Sequence, residues 1–207
     1  MSTFSTEDKE VSFAFNVIKD FFNEIDMYEA VRDTEHLIRS AASMKVYKKR
    51  IPGDLLYFKY KFEELIAAAF TISANFSKRE EAQLDFDRDN SIPDISRHED
   101  FVSGLRNLPQ WAAFPRSLTH WQYFNPYIAV KKFTSHMTEL EWKRALKIIV
   151  DYALTDCPVE QEYRAGKLMN IRLRMLQLIE ACHLLHVRTN LKKEAAEKEI
   201  LKPKKKK

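Results

Sequence analysis

Glu180 and His183 stand three residues apart, and His186 follows one turn later. A carboxylate and an imidazole at this spacing are what di-metal helical bundles project into their cores. Asp33-Thr34-Glu35-His36 is an imperfect second copy, with Asp in place of Glu. Such a site also draws carboxylates from other helices, and the sequence offers no evident further pair. The competing reading is a histidine pair at the boundary or surface of the last helix, since these spacings arise readily in any helix.

Asp85-Phe86-Asp87-Arg88-Asp89-Asn90 has acids at alternate positions before a turn residue, as at the front of a calcium loop, and Ile92 sits where that loop takes an apolar side chain. Ser96 stands where the bidentate Glu belongs and Pro93 interrupts the loop, so a solvated acidic loop is the expected form. Arg116 and His120, four apart, have residue types that helical nucleases use for acid–base work. They would equally hold an irregular segment in place by hydrogen bonds. Cys157 precedes Pro158 in a turn, a position for an exposed thiol, but no neighbour in sequence marks it as reactive. None of these amounts to a convincing catalytic motif. No catalytic, cofactor-binding or metal-binding residue is assigned and no cofactor is expected.

Binding surfaces are the stronger expectation. Trp111, Phe114, Trp121, Tyr123 and Phe124 crowd into one segment broken by Pro115. Aromatics in such density either pack as an irregular lid across a core or anchor a partner. Trp111, Trp121 and Tyr123 are the candidate anchors. Lys48, Lys49 and Arg50 form a short basic run, and Lys204, Lys205, Lys206 and Lys207 close the chain. The net charge is +4, but Asn190 to Lys207 holds 8 Lys and 3 Glu, so the tail carries +5 and the rest is close to neutral. A nucleic-acid-binding body would cluster its cations on one face. The charge distribution therefore lowers a nucleic-acid reading of the body, and in that alternative contact would run through the tail and the 48–50 run.

The elements that hold these residues are helices throughout. Only 3 glycines argue against Gly-built phosphate loops, tight hairpins and sheets. With 45% apolar residues in 207, one well-packed domain is expected. Ser5 to about Asn23 reads as a helix, with Val11, Phe13, Phe15, Ile18, Phe21 and Phe22 on its apolar face. Asp26, with Glu29 three on, starts a second helix to about Val46. Pro52-Gly53-Asp54 reads as a turn, and Leu55 to about Phe76 as a third helix. A helix extension to Leu84, an acidic loop over 77–97 and a short helix from His98 to Leu105 follow.

Asn125-Pro126 and the capping box Thr138-Glu139-Leu140-Glu141 each open a helix. The last helix is expected from near Val159 to about Thr189. Its Leu168, Ile171, Met175, Leu178, Cys182 and Leu185 form a heptad seam, and Leu176, Ile179 and Leu184 widen it beyond what one narrow partner could bury.

The expected object is an all-α, single-domain bundle of about six to seven helices with a long C-terminal helix. Residues 1–190 form the domain and 191–207 a Lys-rich, partly disordered tail. No apolar run is long enough to span a bilayer, and the two cysteines with no leader pattern at Met1 to Lys9 suggest the cytoplasm. The expected function is non-enzymatic: an interaction or assembly subunit that binds another protein chain or itself. A nucleic-acid-associated accessory protein is the alternative, and a helical enzyme with a site assembled from distant residues is a third.

Overall fold

A computed structural model describes residues 6–49, 51–75, 114–159 and 162–200, with side chains described between 9 and 189. The acidic loop, its calcium-like acids, the helix expected at His98, Trp111, Arg50 and Lys204 to Lys207 lie outside the described residues. The described residues form seven helices and no strand. They are α1 (Thr6–Glu24), α2 (Met27–Ala41), α3 (Pro52–Asn75), α4 (His120–Phe124), α5 (Pro126–Thr134), α6 (Glu139–Ala153) and α7 (Ala165–Ile200). The all-α single-domain expectation holds.

Local chemistry sets most of the boundaries. Asp26 opens α2 by accepting the Glu29 N–H at 2.9 Å. The α2 helix stops at Ala41, short of the expected Val46. There Ser43 Oγ donates to the Ser40 carbonyl and accepts the Lys45 N–H, offering the backbone an alternative to the helix. Pro52-Gly53-Asp54 is the first turn of α3 rather than a separate turn. The Asp54 and Leu55 N–H groups already bond to the Ile51 carbonyl, and Pro at the first position forfeits no needed donor. Asn125 and Thr138 cap α5 and α6 as expected, with both halves of the Thr138–Glu141 box present.

The last helix starts at Ala165, later than Val159. Val159 and Tyr163 are both buried in an isolated turn closed by the Glu162 and Tyr163 N–H groups on the Val159 carbonyl. At its other end α7 continues to Ile200, so the first part of the Lys-rich tail extends the last helix.

The helix α7 is the axis of the fold. It packs against α1, α2, α4 and α5, while α3 bridges α1 and α5, and α6 bridges α2 and α3. Every residue from Met175 to Val187 is buried. The seam residues Leu168 to Leu185 are all in the core, together with Leu176, Ile179 and Leu184. On α1, Ala14, Ile18, Phe21, Phe22 and Ile25 face inward at helical spacing, whereas Phe13 falls one step off that face and is exposed. Between α5 and α6 the rings of Phe133 and Trp142 stack at 4.0 Å, and the indole N–H of Trp142 donates to the Phe133 carbonyl at 3.1 Å. This satisfies the donor that burying a Trp would otherwise strand. Among the described residues, no helix is long and apolar enough to cross a membrane.

Candidate functional site: an anchored aromatic platform

Three polar side chains on α7 project toward the segment 114–125. Gln177, Glu180 and Arg188 hold its backbone, and Leu184 between them supplies an apolar contact. The buried carboxylate of Glu180 accepts three consecutive backbone N–H groups. These are Arg116 at 2.9 Å on Oε1, and Ser117 at 2.8 Å and Leu118 at 3.1 Å on Oε2. Burial raises the Glu180 pKa above the usual carboxylate value, and the three backbone donors pull it part of the way back. Gln177 donates to the Ser117 carbonyl at 3.0 Å and to the Gln122 side-chain oxygen at 3.3 Å. Arg188 donates to the carbonyls of Phe124 at 2.9 Å and Tyr123 at 2.8 Å, with its guanidinium 5.3 Å from the centre of the Tyr123 ring.

The short helix α4 is capped within this frame. The Thr119 hydroxyl accepts the Gln122 N–H, and the Gln122 side chain accepts the Thr119 N–H. This reciprocal box is written as Thr119-His120-Trp121-Gln122, a pattern the sequence displays as plainly as that of Thr138. Two turns of chemistry therefore pin α4 to α7 from both ends. Gln122 and Tyr123 point inward, and Tyr123 forms a small apolar cluster with Leu184, flanked by Phe114, Leu118 and Phe124. Trp121 points outward and is 74% exposed. The His120 ring lies edge-on to Trp121 at 5.8 Å and to Phe124 at 4.4 Å.

The aromatic segment thus divides. Phe114, Leu118, Tyr123 and Phe124 close the bundle over Leu184, as a lid would, while Trp121 is displayed on top. Tyr123, expected as an anchor, is core. His120 belongs to the platform's edge, and Arg116 is tied to Glu180 through its backbone.

The metal-like pair also separates in role. Both Glu180 oxygens are taken by backbone donors. His183 and His186 are buried instead of lying at a boundary, and they face α1, where their rings sit 5.1 Å and 5.9 Å from that of Phe22. Burial, with a smaller contribution from His186, pushes the His183 pKa down to about 3. Burial and then Lys19 lower that of His186. In the second copy, Asp33 is buried and Glu35 pairs with Arg172 on α7. Among the described residues, no three His, Cys, Asp or Glu side chains gather as a metal group. Cys157 is exposed and Cys182 buried, each as a free thiol. Lys48 and Lys49 are exposed in the turn after α2.

No protein-family model, curated protein or solved structure matches this chain.

Proposed function

We propose that the protein is a non-enzymatic interaction or assembly subunit that docks another protein chain through Trp121. The supporting observation is the pairing of exposure with rigidity. A large indole stands 74% exposed on a short helix held at its end by Arg188, while Glu180 and Gln177 hold the backbone of the segment that leads into it. Binding anchors are drawn from Trp above other residues. Fixing the backbone before binding also removes part of the ordering cost of association. The two free thiols favour a reducing setting, and the reading places the protein in the cytoplasm.

The test compares Trp121→Ala with the unaltered protein in affinity capture from the native cell. The substitution removes only surface, so the melting temperature should stay within about 1 °C. The captured partner should be weakened by at least about tenfold, as expected when an anchor residue is truncated. Equal recovery of every captured protein by the two forms would overturn the reading. A nucleic-acid-associated accessory role is the second reading, favoured by the exposed Lys48 and Lys49 in the turn after α2. The contribution of Arg50 and of Lys204 to Lys207 to that role rests on sequence alone.

A further inference from the structure

We propose that the outward face of α2, together with the turn that follows it, binds the phosphodiester backbone of a single-stranded nucleic acid. Tyr28, Arg32, His36 and Arg39 recur at intervals that place them along one stripe of the helix, about 16 Å long at the standard rise. The opposite face, with Ala30, Leu37, Ile38 and Ala41, is in the core, so the stripe cannot turn inward.

The turn adds Lys48 and Lys49, both exposed. It is held in position because the Tyr47 ring is buried and its N–H donates to the Ala153 carbonyl at the end of α6 at 2.7 Å. Lys49, Arg39 and Arg32 all lie close enough to act on His36 and disfavour its charged form, after burial as the larger cause. The acid opposing them is Asp33, buried beneath the stripe with Arg32 Nε 3.6 Å away. Glu35, on the same stripe, is paired with Arg172, and the half-buried Glu29 stands at the stripe's edge, two turns before His36.

The result is a surface on which the cations Arg32, Arg39, Lys48 and Lys49, with Arg172 already balancing Glu35, outnumber the remaining acids and repel one another in the unbound protein. A chain of phosphates relieves this repulsion and releases its own counterions. The choice of a single strand rests on Tyr28. Its ring is 38% exposed at one end of the strip, with the Arg32 guanidinium 5.6 Å from its centre. Cations that track a backbone beside an aromatic surface for a base are the elements of single-strand recognition. An acidic peptide would use the cations and leave the ring idle.

This surface is separate from Trp121. It meets α7 at Arg172, whereas α4 is held by Arg188, about 24 Å further along α7.

The test is anisotropy of a labelled single-stranded oligonucleotide of about 12 nucleotides with the full chain. Arg39→Glu with Lys49→Glu should weaken binding at least tenfold. It should also reduce the dependence of log K on log salt by about 1.4, the value for two lost phosphate contacts on a single strand. Tyr28→Ala should weaken binding several-fold without changing that slope. Trp121→Ala should leave the affinity unchanged, which separates this inference from the protein-docking reading. Replacing Lys204, Lys205, Lys206 and Lys207 together by Ser isolates the tail. If that change abolishes binding while Arg39→Glu with Lys49→Glu does not, the tail is the site and the inference falls. It falls equally if the intact chain ignores the oligonucleotide at low salt, or if polyglutamate competes as well as the oligonucleotide does. Melting temperatures of the variants should match the unaltered protein, since Arg39 and Lys49 are both exposed.

Discussion

The Glu180 carboxylate feels two opposed influences, and which one wins decides what a substitution does. Desolvation favours the neutral acid, yet three backbone N–H groups need its oxygens. Glu180→Gln would remove the charge but turn an amide NH2 toward a backbone donor. Stranding buried donors costs more than the relieved burial returns. We expect a loss of about 1–3 kcal/mol, read as a fall in melting temperature, together with a shift in Trp121 fluorescence as α4 loosens. A variant as stable as the original would show that the backbone donors do not depend on this carboxylate.

His183 gives the opposite kind of sensitivity. Its pKa falls from 6.5 in the free residue to about 3 in the fold, so between those values the unfolded chain binds the extra proton. Stability is therefore fullest above about pH 6.5 and declines as the pH drops, by about 1.4 kcal/mol per unit for one such histidine. His186 acts in the same direction, with Lys19 adding to its reluctance to charge. Denaturant titrations at pH 7 and pH 5 should show this loss, and His183→Leu should flatten it. The thiols offer a simpler contrast. Burial raises the Cys182 pKa far above the ordinary thiol value, while Cys157 is exposed. A thiol reagent should label one cysteine in the native protein and both after unfolding.

At the scale of elements, capping chemistry was the most readable signal. Thr138→Ala should cost about 1 kcal/mol, seen as a lower melting temperature with no change in helix content. Asp26, Asn125 and Thr138 each announce a helix start because a short polar side chain next to an apolar repeat has one obvious use. The seam from Leu168 to Leu185 was equally legible, since helical spacing of apolar residues has few other causes.

Misplaced boundaries arose where tertiary packing or local hydroxyls outweighed pattern. Ser40 and Ser43 close α2 early, and burial of Val159 and Tyr163 delays α7. The platform itself was legible only in outline. Aromatic density pointed to the segment, but which ring turns outward depends on Glu180 and Arg188, more than fifty residues later in the chain. The Thr119 box was visible and would have placed Gln122 inward. Nothing local distinguishes a buried His183 from a surface one, because its burial comes from Phe22 on α1.

Across the whole molecule, enclosure of one helix by the others is the organising fact. Amide hydrogen exchange should be slowest between Met175 and Val187, where opening requires the surrounding helices to part. Slower exchange anywhere in α3 than in that stretch would show that the bundle opens around a different axis.

The order of synthesis gives this enclosure a temporal side. The rod at the centre leaves the ribosome after the six helices that precede it. At ordinary translation speeds of about 5–20 residues per second, roughly 8–32 s separate the start of α1 from the start of α7. Through that interval α1 and α5 can already meet α3, and α2 can meet α6, but the flanks of α1, α2 and α5 that face α7 have nothing to wrap. The newborn chain must wait in a sticky, half-made condition, and collapse comes as a late event once its mandrel has arrived.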